Sequence, residues 1–214
     1  MNSPVSAQAA LARLRDGNRR FTTHQTTTNA QLNHHQRLEQ LAGQMPFAVI
    51  LGCSDARVPA EIIFDQGLGD LFVIRVAGNI VAPSQVGSVE FAVSRYHTRL
   101  VVVLGHSQCG AVTATIESLL DGEDSESRNI ASIVDRVKPA VAGFLDTDLR
   151  FDRLALHRAA VRANVRASVD HLRHGSAMIE SFIAEHGLQV IGAEYALETG
   201  VVNFFEQFTA EMSG

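Results

Sequence analysis

Pro46-Phe47-Ala48-Val49-Ile50-Leu51-Gly52-Cys53-Ser54-Asp55-Ala56-Arg57 is the stretch from which the rest of the chain can be read. Residues 47–51 form an unbroken apolar run closed by Pro46 and Gly52, the pattern of a strand buried on both faces. Residues 71–76 and 100–104 repeat the pattern with many β-branched side chains. Between these two runs Val86, Val89, Val93 and Tyr96 recur at helical spacing, which predicts a helix over 84–96. Strands alternating with helices predict parallel βαβ units and an α/β fold, with a central, mostly parallel sheet flanked by helices.

Working outward, Leu11, Leu14 and Phe21 mark an N-terminal helix, 22–30 a polar loop and 31–41 a second short helix. This segment, 1–45, is expected to form a helical arm that packs either on another subunit or on its own core. The α/β core is expected to span 46–214, giving one domain over 1–214. After Cys109, helices are expected to about 120, over 130–144, 153–172 and 176–186, with a solvated acidic turn at 121–125. A last strand over 188–197, a turn at Glu198-Thr199-Gly200 and a closing helix from 203 onward complete the expected order.

Composition narrows the function. Eighteen Lys and Arg against twenty-three Asp and Glu give a net charge of −5, without the basic excess of a nucleic-acid or anionic-membrane binder. A hydrophobic fraction of 46% supplies an ample core, and no apolar run approaches the length of a membrane span. The N-terminus shows no charged-then-apolar leader pattern. A reducing cytoplasm is the expected compartment, where a pair of cysteines serves more often as ligands or catalytic groups than as a bridge.

Those two cysteines, Cys53 and Cys109, both come after apolar strands. Cys53 comes two residues after Leu51 and His106 two residues after Leu104, with Cys109 three further on in Gly105-His106-Ser107-Gln108-Cys109-Gly110. Ligands bind outside the carboxyl ends of strands in doubly wound sheets. If the two strands are neighbours they lie ~4.8 Å apart, close enough for these groups to converge on one ion. Gly105 and Gly110 bracket the turn and permit close backbone approach. Two thiolates and an imidazole suit Zn2+, and three protein ligands leave the position for water that a catalytic zinc keeps. Asp55 is the nearby fourth candidate. Ligated, it closes the site; paired with Arg57, it stays ionised and off the metal. Three other readings stand beside this one. The thiols could be inert core residues, they could form a disulfide, or Cys109 with His106 could be a nucleophile and base, which leaves Cys53, Asp55 and Arg57 without a role.

Cys53-Ser54-Asp55-Ala56-Arg57-Val58-Pro59-Ala60-Glu61 and Gly105-His106-Ser107-Gln108-Cys109-Gly110-Ala111 closely resemble the two signatures of the β-class carbonic anhydrases. The segment Leu11 to Phe21, Phe72-Val73-Ile74-Arg75-Val76-Ala77-Gly78-Asn79 and 190–200 also match that family. The resemblance implies one Zn2+ per chain on Cys53, His106 and Cys109, with Asp55 as a further ligand in a closed state only. It implies reversible hydration of carbon dioxide to bicarbonate by zinc-bound hydroxide, with Asp55 and Arg57 as the catalytic dyad. By the same resemblance Gln44, Phe72 and Gly110 bind substrate, and the protein is a homodimer or homotetramer with sites near the subunit interface. His34 and His35 are weak candidates for proton transfer. A subgroup of the family holds bicarbonate in an effector pocket through a tryptophan, an arginine and a tyrosine. Arg75 and Tyr195 match the last two, but Ile50 stands at the tryptophan position, so no pocket of that type is expected. Carbon disulfide hydrolases share the scaffold and metal site, and a zinc-stabilised structural or sensing protein with Asp55 permanently bound is the non-enzymatic alternative.

Overall fold

The computed structural model describes residues 4–27, 41, 43–122 and 127–205. Among them five strands, β1 (Ala48–Gly52), β2 (Leu71–Arg75), β3 (Leu100–His106), β4 (Gln189–Tyr195) and β5 (Val202–Phe204), form one sheet in the order β2-β1-β3-β4-β5. The first four pair in parallel and β5 pairs antiparallel with β4. The helices are α1 (Ala7–Thr22), α2 (Ala60–Ile63), α3 (Pro83–Tyr96), α4 (Gly110–Asp121), α5 (Arg128–Val141), α6 (Arg153–His174) and α7 (Ala177–His186). None of them is long and apolar enough to cross a membrane.

The unbroken apolar runs are explained by burial on both sides. Ala48, Ile50, Leu100, Val102 and Leu104 face one cluster with Leu11 and Leu14 of α1 and Ile63 of α2. The alternate residues, Val49, Leu51, Val101 and Val103, face a second cluster with Val89 and Val93 of α3, Val165 and Leu172 of α6 and Ile179 of α7. Successive strand side chains point to opposite faces, so a strand covered on both needs apolar residues at every position. Each such side chain contributes about 1.5–3 kcal/mol when fully buried.

Connectivity places the functional end. β1 lies between β2 and β3, with α2 after β1 on one face and α3 before β3 on the other. The chain therefore switches faces around β1, and ligands bind at the carboxyl ends of strands beside such a switch. A third apolar cluster sits at this end, gathering Cys53, Cys109, Val112 and Ile116 with Val137, Leu156 and Val161 of α5 and α6.

Two expectations are corrected. The chain does not enter a closing helix at 203: Val202–Phe204 is a strand on the edge of β4, and residues beyond 205 lie outside the described ones. The physical cause is hydrogen bonding over long sequence distance. Asn18 of α1 donates to the carbonyls of Ile63 and Gly200 and accepts from the Val202 N–H, at 3.2, 2.9 and 2.9 Å, which holds the chain extended along β4. The helix expected over 130–144 ends at Val141 and gives way to 3-10 turns, two residues after Pro139, which has no N–H to extend the ladder. The expected second helix over 31–41 lies outside the described residues up to 40, with His34 and His35, as does most of the acidic turn.

The N-terminal helix α1 packs on its own chain. Ser6 caps it by accepting from the Ala9 N–H, and Arg13 donates to Gln66 and pairs with Asp70. Gly17 lets it close on the end of α2, because a Cβ there would stand 1.8 Å from the Phe64 carbonyl oxygen. Backbone cannot yield as a flexible side chain can. Gly17→Ala is therefore expected to destabilise the fold by about 1–3 kcal/mol, read as a lower urea midpoint at unchanged slope.

Candidate metal centre

β1 and β3 are neighbours with Gly52 paired to Leu104, which sets their carboxyl ends side by side. Cys53 is the first residue past β1, and His106 is the last residue of β3 rather than a residue beyond it. The chain then turns through Ser107 and a left-handed Gln108, at φ 58°, so that Cys109 caps α4. One ligand atom from each of Cys53, His106 and Cys109 lies within 4.8 Å of the others, and all three residues are buried. Among the described residues these three form the group that can hold a metal ion.

The donor set fits a thiophilic divalent cation. Both cysteines are free thiols, which sets the disulfide reading aside in this structure. His106 Nδ1 lies 2.8 Å from the Ser107 carbonyl, which can only accept, so the proton resides on Nδ1 and Nε2 presents its lone pair. That Nε2 is wholly buried and has no hydrogen-bond partner. An unpaired buried acceptor costs free energy, and a Lewis acid between it and the two sulfurs removes that cost.

The electrostatics favour thiolate. The Cys109 thiol beside it, and then His106, outweigh burial and hold the Cys53 thiol well below its ordinary value. The Gly78 N–H, 3.4 Å from Cys53 Sγ, acts in the same direction. Cys109, bonded to Cys53 and buried beside it, is pushed the other way, since two adjacent thiolates without a cation repel. Burial works to lower His106, but the neighbouring Cys53 sulfur outweighs it and raises the imidazole above its ordinary value.

Asp55 stands beside these ligands and not among them. Arg57 grips both its oxygens, Nε to Oδ1 at 2.9 Å and the terminal guanidinium nitrogen to Oδ2 at 2.7 Å, and the Arg57 backbone N–H adds a third bond at 2.9 Å. This fork holds the carboxyl well below the usual carboxylate range. Asp55 Oδ2 is 3.9 Å from His106 Nε2, so the carboxylate faces the site. Gly110 opens α4 next to Cys109, with free space where a Cβ would be and its N–H among the unpaired donors of the first helical turn. The glycine before the turn, Gly105, makes room for Val165 of α6 rather than for a ligand.

Gln44 and Phe72 lie elsewhere. Gln44 precedes β1 and donates to the Tyr96 hydroxyl at 2.9 Å, while the Phe72 ring packs 6.3 Å from Phe91 and 6.1 Å from Tyr96. That cluster sits at the amino ends of β1 and β2, and β1 alone spans about 16 Å at ~3.3 Å per residue. Within one chain the fold does not bring these two residues to Cys53.

Several supporting roles are not legible in the sequence. Arg75 donates to the Cys53 and Asp55 carbonyls at 2.9 and 2.5 Å, bracing the loop that carries both. Glu198 accepts from Ser107 Oγ and Gln108 Nε2, each at 2.9 Å, and steadies the turn between His106 and Cys109. His157 of α6 lies 3.3 Å from the Cys109 carbonyl. Glu198 and Arg75 fell inside matched segments, which was a signal; His157 had none.

A family model described as carbonic anhydrase matches residues 48–202. The chain is 40% identical over 199 residues to carbonic anhydrase 2 of Mycobacterium tuberculosis, covering 92% of this chain and 91% of that one. It is 38% identical to the carbonic anhydrase of Mycolicibacterium smegmatis, covering 94% and 93%. Among solved structures, a tetrameric β-carbonic anhydrase from Sordaria macrospora superposes with a TM-score of 0.74 at 24% identity, covering 91% of this chain and 96% of that one. A β-carbonic anhydrase of Aspergillus fumigatus does so at 0.72 and 25% identity, covering 93% and 90%. With the ligand triad at the strand ends, a matched model over most of the chain and these relatives, the chain belongs to the β-carbonic anhydrase family.

Proposed function

We propose that this carbonic anhydrase hydrates carbon dioxide reversibly to bicarbonate and a proton on one Zn2+ held by Cys53, His106 and Cys109. The observation that carries the reading is the orphaned, fully buried His106 Nε2 set between two buried thiols, with an ionised carboxylate facing it from the side. When bound, zinc supplies a water acidic enough to attack as hydroxide near neutral pH, its pKa brought toward ~7. Two buried thiols kept reduced for this purpose suit the cytoplasm.

The chain's own residues do the rest. Among the described residues Asp55 is the carboxylate that faces the fourth ligand position, and Arg57 gates it by holding both oxygens in its fork. Held there, Asp55 Oδ2 accepts the O–H of the attacking water and leaves a lone pair for the carbon of the substrate. Released, the same carboxylate would fill the fourth position and close the site. The Gly110 N–H, at the positive end of α4, would donate to a product oxygen.

Gln44 and Phe72 enter this reading through oligomerisation. A homodimer or homotetramer would bring the Gln44–Phe72–Tyr96 cluster of a second copy to the metal centre of the first, as substrate-binding residues. The Sordaria relative is described as tetrameric, which supports the assembly.

Replacing a ligand tests the metal assignment. Cys53→Ser or Cys109→Ser is expected to lose zinc, read by metal analysis of the purified protein, and to lower thermal stability, because binding and folding are linked. Stopped-flow hydration assays at pH 8 then separate the enzyme from a structural zinc protein. Asp55→Ala should retain zinc and lose at least about 100-fold in kcat, the range of a positioned acid–base group. Arg57→Ala should retain zinc with reduced kcat, because the carboxylate is freed to take the open position. Zinc loss with unfolding in Asp55→Ala would instead favour the structural reading. Gln44→Ala should raise KM with zinc content unchanged, and sedimentation should show a dimer or larger.

A further inference from the structure

Helix α6 carries two polar side chains on its buried stripe, Asn164 at 2% and Ser168 at 5% exposure, among Leu156, Val161, Val165 and Leu172. A polar group there is costly unless its bonds are made, and an aliphatic residue would pack the helix on the sheet more cheaply. Both bonds go to one short turn. Asn164 Nδ2 donates to the Gly78 carbonyl at 2.8 Å and Ser168 Oγ to the Asn79 carbonyl at 3.0 Å.

That turn, Ala77–Asn79, is one the chain does not adopt readily by itself. Gly78 has φ 69° and Asn79 φ 44°, successive left-handed residues, and an asparagine pays more for that than a glycine. The Asn79 side-chain nitrogen is buried without a partner, so it does nothing to secure the conformation. A Cβ at Gly78 would stand 2.9 Å from Ala111 Cβ, which fixes how closely the turn lies under α4. The Gly78 N–H of this clamped turn is the donor that reaches Cys53 Sγ at 3.4 Å.

We propose that Asn164, with Ser168, is a positioning residue of the metal centre. By anchoring the Gly78 and Asn79 carbonyls it aims the Gly78 N–H at Cys53 Sγ, and so sets how firmly that thiolate holds the ion and how much charge it donates. The inference rests on the zinc reading of the Cys53–His106–Cys109 triad. An N–H donated to a thiolate withdraws charge from sulfur and restrains its position, and outer contacts of this kind alter metal affinity by about 10–100-fold. The anchor reaches the centre from α6, far along the chain from either ligand segment.

The test uses the metal-loaded protein and two readouts other than activity. Zinc release to a chromogenic chelator is monitored by stopped flow, and the thiolate-to-cobalt charge-transfer band is recorded after Co2+ substitution. Asn164→Ala is expected to release zinc about tenfold faster and to move the band to lower energy, as a sulfur relieved of its N–H donor gives up charge more easily. Asn164→Leu, of similar size and without a donor, should behave like Asn164→Ala. Ser168→Ala should shift both readouts the same way by less, and it carries the test if the Asn164 variants do not fold. Leu172→Ala, a core truncation on the same helix, should lower the melting temperature without moving the band. Unchanged release and an unchanged band in folded Asn164→Ala or Ser168→Ala would overturn the proposal. A wild-type protein that binds neither zinc nor cobalt stoichiometrically would overturn the zinc reading itself, which distinguishes the two failures.

Discussion

Parallel pairing of β1 with β3, Gly52 against Leu104, is the constraint on which the site depends. Parallel neighbours end at the same edge of the sheet, so two segments distant in sequence deliver Cys53 and His106 to one place. Parallel strands need long crossovers, and here these pass over opposite faces. The faces so covered are what allow every residue of β1 and of Leu100–His106 to be buried. The same two-sided burial makes the strand ends rigid enough to hold three ligand atoms within 4.8 Å without a backbone that has to rearrange around the ion.

The centre divides its labour between fixed and adjustable parts. His106, at 0% exposure, and Cys109, at 1%, sit in the packed interior, one closing a strand and the other capping a helix. Asp55 is on an exposed loop, and what holds it is a fork of side-chain bonds from Arg57 two residues away. Candidate ligands on rigid elements and a carboxylate on a loop suit the proposed role of Asp55 as a movable occupant of the fourth position. Arg75 limits that freedom by bracing the loop at the Cys53 and Asp55 carbonyls.

Around the ligands lies a layer of contacts drawn from far along the chain. The Gly78 turn comes from the segment after β2, Asn164 and Ser168 from α6, and Glu198 from the turn after β4. The Gly78 N–H and Glu198 bond the ligand segments themselves, while Asn164 and Ser168 hold the Gly78 turn, and in a low-dielectric interior such bonds act strongly on thiolate charge and imidazole orientation. Gln44 and Phe72 contrast with these. They join Tyr96 and Phe91 at the amino ends of the strands, where one chain alone cannot apply them to Cys53.

Much of this protein was legible in its sequence because the relevant physics is local. Continuous apolar runs marked β1, β2 and β3, helical spacing marked α3 and α6, and the short spacing from His106 to Cys109 and from Cys53 to Arg57 exposed the ligands and the clamp on Asp55. The rest depends on contacts that no local pattern encodes. Asn203 reads as the start of a helix, but Asn18 and the free edge of β4 draw Val202–Phe204 into the sheet. Asn164 and Ser168 read as polar interruptions of an apolar stripe, and only the fold shows the two carbonyls they meet. Local propensity determines which elements form; long-range packing and the need to pair every buried polar group decide what those elements are for.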